Sequence, residues 1–238
     1  MEISDKKILK IGLIACAGAL LGVVADYFSG WSSSPNNMNT AISINIDSIK
    51  GLFIEKPRWE FVLGNYLGVL FIPFHMLGFL LVYLAIKPAG KKKSLIVLIL
   101  AFYLVSIGSG FHGTFAFIGD TIQSGNEVLL AKMVSYWQNW GLVLIIGYLV
   151  LSIYLFFLII SGATLYDKAA AFLSPISLLI YSAVLISLLP EGLNGIKAFL
   201  AVTGLNLPLL IFYIITINTL LRETGRNNQL QTKHKQRV

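Results

Sequence analysis

Six long apolar segments alternate with shorter polar ones along the chain. They cover residues 8–27, 61–86, 95–118, 140–160, 170–189 and 196–221. An α-helix rises about 1.5 Å per residue, so it needs about 20 apolar residues to cross the roughly 30 Å hydrocarbon core of a bilayer. The runs are continuous, whereas the strands of a membrane barrel alternate. The pattern therefore predicts an all-α polytopic membrane protein, with six transmembrane helices in one bundle over residues 1–221.

The basic residues predict how this bundle is oriented. One set of flanks holds 13 of the 18 Lys and Arg residues, and the opposite set holds the other 5. Cytoplasmic flanks are richer in Lys and Arg, so the first set is predicted to face the cytoplasm. Both termini then lie in the cytoplasm, with the protein in the plasma membrane. Residues 222–238 are predicted to form a basic cytoplasmic tail that is disordered.

Composition excludes several other classes of protein. Of the residues, 56% are hydrophobic and 12% are charged, against about 25% charged in an ordinary soluble domain. The net charge of +7 does not indicate nucleic-acid binding, because the basic residues lie at the ends of apolar segments. A single cysteine, Cys16, provides neither a disulfide framework nor a cysteine metal site.

Two long connecting segments are predicted on the outer side. In residues 28–60, Ile42, Ile46, Ile49 and Phe53 recur at helical spacing, which predicts an amphipathic helix on the outer leaflet. Ile42, Ile44 and Ile46 also alternate, so a strand stays open as an alternative. Residues 119–139 end in aromatic residues suited to the membrane interface. Both segments either anchor the protein at the interface or cap a pocket.

Ionisable residues inside apolar spans are candidates for function, because each Asp, Lys or Arg there costs about 2.5 to 3.5 kcal/mol. The candidates are Asp26, His75 and His112. Each continues a stripe of mostly small residues at helical spacing, and small residues let helix backbones approach closely. The stripes are Gly12, Ala15, Ala19, Gly22 and Asp26; Gly64, Gly68, Phe71, His75 and Gly78; and Ala101, Val105, Gly108, His112 and Ala116. All three ionisable groups are therefore predicted to face the bundle.

Counting residues from the cytoplasmic ends places these groups at two depths. Asp26, His112 and Asn206 lie 15 to 17 residues from those ends, and His75 lies only 11 residues from Ile86. His75 is thus predicted roughly 9 Å deeper than His112, at about 1.5 Å per residue. A metal ion or haem bridging both histidines would be strained unless Pro73 or the segment at 108–113 distorts its helix. We predict an outward-facing polar pocket containing Asp26, His112 and Asn206, with His75 as a deeper ligand- or proton-binding group.

No known catalytic or cofactor motif accompanies these residues. Residues 108–113, GSGFHG, have the spacing G-x-G-x-x-G, but they lie inside a predicted membrane span and not between a strand and a helix, so they do not indicate nucleotide binding. The signatures G-K-[ST], H-E-x-x-H and G-x-S-x-G are absent. The chain has three histidines in all, too few for a histidine-rich zinc site. The sequence therefore predicts no cofactor and no metal, and it identifies no catalytic residue.

Several strings in the first half of the chain resemble a family of uncharacterised bacterial multipass membrane proteins. They are GVVADY at residues 22–27, NYLGVL at 65–70 followed by Pro73 and Gly78, YLAIKPAG at 83–90, and GFHG at 110–113. The resemblance lies mainly in residues 12–118. It implies a multipass domain of unknown function and no assigned activity.

Three functions remain open at this point. The first is binding or transport of a small amphipathic or lipid-like molecule through the pocket of Asp26, His112, Asn206 and His75, with membrane lipids as partners. The second is an intramembrane lipid-modifying enzyme that uses Asp26 and His112. The third is a non-catalytic membrane scaffold whose polar groups only specify helix packing.

Overall fold

A computed structural model describes residues 4–31 and 46–235, with side chains through Arg226 apart from Ile46 and Ser48. Every regular element within these ranges is helical. The α-helices are α1 Asp5–Gly30, α2 Ile46–Phe53, α3 Arg58–Phe71, α4 His75–Ile86, α5 Lys91–His112, α6 Phe115–Gln123, α7 Glu127–Ile160, α8 Pro175–Leu188, α9 Asn194–Val202 and α10 Asn206–Lys235. The 3-10 segments are Ile72–Phe74, Lys87–Ala89, Lys168–Leu173 and Glu191–Leu193. The predicted all-α class is confirmed.

Five helical stretches among the described residues are long and apolar enough to cross a membrane. They are Asp5–Gly30, Arg58–Ala89, Lys91–Gln123, Glu127–Ile160 and Asn206–Arg226. The first four contain the first four predicted spans, but the fourth is longer than predicted, because α7 begins at Glu127, inside the predicted connecting segment 119–139. The last two predicted spans, 170–189 and 196–221, are shortened or divided, and the residues that interrupt them explain why.

The predicted span at 170–189 begins too early. The α-helix α8 starts at Pro175, and the residues before it form a 3-10 segment followed by an extended Ser174. Proline has no N–H to donate and disfavours a helical residue before it, so it is accommodated at the first position of a helix. The apolar run therefore contains a helix of only 14 residues.

The predicted span at 196–221 is two helices. The α9 helix ends at Val202, a turn covers residues 203–205, and α10 starts at Asn206. Pro208 lies in the first turn of α10, where its missing N–H leaves no bond unmade, whereas in a helix interior it would break one. At its other end α10 passes the predicted boundary at Leu221 and continues as a helix to Lys235.

The helix α1 packs against α3, α4 and α10. The helix α5 packs between α4 and α7. We call the end that contains Gly30, His112 and Asn206 the His112 end, and the end that contains Lys91–Lys93 the lysine end. At the lysine end, the Leu165 N–H donates to the Ala85 carbonyl over 2.9 Å, and Arg222 pairs with Asp167 at 2.6 Å. The α10 helix therefore runs antiparallel to α1.

The predicted small-residue stripes do face the bundle. Gly12, Ala15, Ala19 and Gly22 of α1 are buried, and so are Gly64, Gly68 and Gly78 on α3 and α4 and Ala101 and Gly108 on α5. Some of these glycines are required by the packing. A Cβ on Gly78 would collide with the Tyr213 ring, and one on Gly12 would collide with Ile217.

The helix α2 is amphipathic, as the spacing of Ile49 and Phe53 predicts, but its apolar face covers protein. Ile49 is 2% exposed and Phe53 is 1% exposed. They pack in an apolar cluster with Phe61, Phe115 and Ile118 at the His112 end. Ile42 and Ile44, on which the strand alternative depends, lie outside the described residues. The described part of this segment caps the bundle.

Candidate functional site

A cavity of about 380 Å³ opens inside the bundle towards the His112 end. Its walls come from α1, α4, α5, α7 and the turn before α10, and Ile49, Leu52 and Phe53 of α2 cover it. Most of the lining is apolar. The side chains on it that carry polar atoms are Asp26, Ser29, His75, His112, Trp137, Tyr148 and Asn206. All four site residues predicted from the sequence therefore line one cavity.

Asp26 joins three helices at the top of this cavity. Its Oδ1 lies 3.2 Å from His112 Nε2, and its Oδ2 accepts a hydrogen bond of 2.7 Å from Asn206 Nδ2. Both carboxylate oxygens are thus held, one by α5 and one by α10. His112 and Asn206 are buried, at 5% and 7% exposed. The structure brings these three residues together at one level, as the residue counts along their helices indicate.

Glycines on α1 and α3 make room for the partners of Asp26. A Cβ on Gly68 would collide with the His112 ring, and a Cβ on Gly22 would lie 3.0 Å from the Asn206 amide carbon. Any larger residue at either position would push its neighbour away from Asp26. The small-residue stripes therefore set the approach of the helices and also position the polar groups.

His75 lies deeper in the same cavity. The 3-10 segment Ile72–Phe74, which contains Pro73, interrupts the helix just before it. His75 Nδ1 is 3.0 Å from the Tyr213 hydroxyl, which donates to the His75 carbonyl over 3.3 Å. Since Tyr213 follows Asn206 by two turns of α10, His75 belongs to a second polar pair below the Asp26 group.

Four polar atoms of the lining keep unused hydrogen-bonding capacity. Within the described part of the chain, His75 Nε2, His112 Nδ1, Ser29 Oγ and Trp137 Nε1 are buried and have no hydrogen-bond partner. Buried polar groups in proteins are nearly always paired, so such atoms mark places that require an explanation. Their concentration on one cavity leaves hydrogen-bonding capacity there for a polar group that enters it.

The helix α2 is fastened over the cavity through its last turn and the residues that follow it. Gln123 Nε2 donates to the carbonyl oxygens of Phe53 and Lys56, over 3.1 and 2.8 Å. Lys50 pairs with Glu127 of α7 at 2.6 Å. These contacts hold the cover closed from α6 and α7.

Lys56 connects this cover to the end of α1. Its ammonium donates to the Trp31 carbonyl over 2.8 Å, and Glu60 lies 3.9 Å away. Burial lowers the pKa of Lys56 from 10.5 to about 8, and the Glu60 carboxylate opposes that effect in part. Trp31 in turn donates its indole N–H to the Gly195 carbonyl over 3.0 Å, so the ends of α1, α3 and α9 are tied together.

Metal binding has little support at this site. Among the described residues no group of three or more His, Cys, Asp or Glu side chains is arranged to hold a metal ion. The functional groups of the site are a fixed carboxylate, two imidazoles and an amide. These groups can accept and donate hydrogen bonds to a polar group that enters the cavity.

Three residues at or beside the cavity are not among those predicted from the sequence. Tyr213 pairs with His75, the Tyr148 hydroxyl donates to the Leu205 carbonyl over 3.4 Å, and Trp137 lines the cavity from α7. One signal was present for Tyr213. It lies seven residues after Asn206, on the same face of α10, and Gly78 is the small residue that admits its ring.

Comparison with family models gives a match over residues 1–223 to DUF6796, described as a family of unknown function. The resemblance that the sequence suggests for residues 12–118 is confirmed and extends over most of the chain. Comparisons with curated proteins and with solved structures find no match.

A double-mutant cycle tests the pair of Asp26 and His112. His112→Ala alone leaves a buried carboxylate with one partner fewer, so we expect a loss of about 3 kcal/mol or more in the free energy of unfolding. Adding Asp26→Asn removes the charge. The loss of unfolding free energy in the double variant should therefore be smaller than the sum of the two single-variant losses, by about 1 kcal/mol or more. Unfolding in detergent micelles with a rising SDS fraction measures these values. The control is Asp26→Asn combined with Thr216→Val, which lies at the distant Tyr166 pair; the two losses of free energy should there be additive. Additive losses for Asp26→Asn and His112→Ala would contradict the pairing.

Lys56 predicts a pH dependence of stability. Its pKa is about 8 when folded and 10.5 ordinarily, so between these values the unfolded chain holds a proton that the folded chain has lost. Stability then increases as the pH increases through this window, and below pH 8 the burial penalty is fully present. We expect Lys56→Met to raise the melting temperature most at pH 7 and progressively less towards pH 10. Lys132→Met, on an exposed part of α7, is the control; a gain for Lys56→Met that is constant with pH would contradict the prediction.

Proposed function

We propose that this chain, which belongs to the family of unknown function DUF6796, is an integral membrane protein that binds a small amphipathic, lipid-like molecule in its cavity. One observation carries the proposal. A cavity of about 380 Å³ with a mostly apolar lining has a fixed group of acid, imidazole and amide side chains at one end. An amphipathic molecule has the same division into one polar and one apolar part.

The size and composition of the cavity support this proposal. Small-molecule sites in proteins measure about 300 to 1,000 Å³ and combine apolar walls with a few well-placed polar groups. Here Asp26 is held by α5 and α10 before any ligand arrives. A site fixed in advance loses less side-chain freedom on binding. A scaffold has no need of a cavity beside its polar pairs.

The proposal includes six crossings of the membrane. The Asp167–Arg222 pair lies at the lysine end, and the Asp26–Asn206 bond lies at the opposite end. The chain must therefore pass from one end to the other between residues 168 and 205. Only α8, with the short segments beside it, is available for this sixth crossing.

The proposed orientation places the lysine end in the cytoplasm and the His112 end outside. It rests on the excess of Lys and Arg at the lysine end, 13 against 5. Both termini are then cytoplasmic, the cavity opens in the outer half of the plasma membrane, and the cover formed by α2 faces outward.

Cysteine labelling tests the topology. In a Cys16→Ala chain, Ala169→Cys and Gly192→Cys place single thiols at exposed positions before and after α8. In sealed right-side-out membrane vesicles, a membrane-impermeant maleimide should label Gly192→Cys directly and Ala169→Cys only after permeabilisation. Labelling of both thiols from the same side would show that α8 does not cross. Labelling of Ala169→Cys alone would reverse the orientation.

Binding is tested with 9,10-dibromostearyl alcohol, whose bromines quench tryptophan fluorescence on contact. Trp137 lines the cavity, so in proteoliposomes the wild type should show a saturable quenching component that Trp137→Phe lacks. Asp26→Asn should weaken this component about tenfold, because a hydrogen bond to a charged group contributes about 1.5 to 3 kcal/mol.

The matched control for that experiment is Asp120→Asn, an acid at the same end of the bundle that pairs with Arg58 and does not line the cavity. It should leave the affinity unchanged. If Asp26→Asn lowers the melting temperature and leaves quenching as in the wild type, the polar group acts only in packing. That result would contradict a binding role for Asp26, whereas absence of the saturable component from the wild type would favour the scaffold over a binding protein.

A further inference from the structure

The route by which a ligand reaches the cavity can be inferred from which walls are covered. Towards the aqueous phase at the His112 end, α2 covers the cavity with the buried side chains of Ile49 and Phe53. Gln123 and the Lys50–Glu127 pair hold that cover in place. In the described structure, entry from this side requires several polar contacts to break.

The wall between α7 and the region of α8 and α9 is covered less well. Ile145 lines the cavity and is 41% exposed. Leu149, Leu179, Val202 and Leu205 also line the cavity and are only partly buried. We call these five residues the lateral opening. They are all aliphatic, and those on α7 lie within a helix that is long and apolar enough to span a membrane, so the lateral opening faces the lipid.

The polar end of the cavity selects among lipid-like molecules. Each oxygen of Asp26 accepts one hydrogen bond and can accept another. Among the described residues, no Lys or Arg lines the cavity to balance an added negative charge. An anionic head group would therefore meet the Asp26 carboxylate with no Lys or Arg beside it, whereas a hydroxyl or an ammonium group can donate to that carboxylate.

We propose that the ligand is a single-chain amphiphile with a hydrogen-bond-donating head group, hydroxyl or ammonium, and that it enters from the bilayer through the lateral opening. The head group donates to Asp26, and the chain lies along the apolar wall of α7 past Trp137. This inference rests on the proposed function, since it assumes that the cavity binds an amphiphile. It adds the class of head group and the route of entry.

The route is tested by locking the cover. Lys50→Cys and Glu127→Cys, in a Cys16→Ala chain, are joined by a short bis-maleimide in proteoliposomes. Quenching of Trp137 by 9,10-dibromostearyl alcohol should keep its rate within about twofold of the unlinked protein. Loss of quenching on linking would mean that the ligand enters under α2, and would overturn lateral entry.

A second pair of variants narrows the lateral opening. Ile145→Phe with Leu179→Phe adds bulk on both sides of it, and we expect at least fivefold slower quenching. The matched control is Ile146→Phe with Ile180→Phe, the next residues on the same helices, each 52% exposed and not part of the lining. The control should quench at the wild-type rate. Equal rates for the two double variants would overturn the lateral opening.

The head group is tested by comparing three probes with the same brominated chain. Dibromostearyl alcohol and dibromostearylamine should bind at least tenfold more tightly than dibromostearic acid, and the preference should shrink in Asp26→Asn. Tighter binding of the acid would overturn the selection by Asp26. If none of the probes quenches Trp137 in any variant, then the cavity binds no such amphiphile and the proposed function fails with it; failure of the route or of the head-group preference alone leaves quenching intact.

Discussion

Asp26 places a carboxylate inside an apolar bundle, and much of the His112 end is arranged around it. A charge in this environment is tolerated only with partners, and they come from two distant parts of the chain, His112 on α5 and Asn206 on α10. The contact therefore fixes the rotation and the depth of three helices relative to one another. Gly22 and Gly68 are part of the same constraint, because a side chain on either would displace a partner of Asp26.

Polar pairs continue along α10 below this group. Tyr213 pairs with His75, Thr216 with Tyr166, and Arg222 with Asp167. Hydrophobic burial does not drive helices together in lipid as it does in water, so close packing and interhelical hydrogen bonds set the register. The first pair joins α10 to α4, and the other two join it to the segment that follows α7. This explains how one helix organises both ends of the bundle, while the cavity remains open between α7 and α10.

Local regularity is what made part of this structure predictable. The small-residue stripes and the common level of Asp26, His112 and Asn206 follow from helical spacing and rise, which hold wherever a helix is unbroken. The errors lie where a backbone constraint interrupts an apolar run. The helix α8 starts only at Pro175, and Pro208 lies in the first turn of a separate helix, α10. A hydropathy profile does not detect such breaks in a helix. Tyr213, Trp137 and the covering position of α2 depend on contacts between distant segments, which spacing along one helix cannot reveal.

The position of the Asp26 group beside a cavity separates a binding role from a packing role. Polar pairs that only specify packing are best surrounded by close-packed side chains, since an unfilled volume next to them forfeits dispersion contacts. The Thr216–Tyr166 pair fits that description, because Tyr166 stacks on Phe212 and Thr216 is fully buried. The upper group differs, because α2 covers its space without filling it and α7 leaves that space open at the side. The same helix thus carries one polar pair in close-packed surroundings and one beside a cavity, and this difference in packing supports the proposed binding role of the upper group.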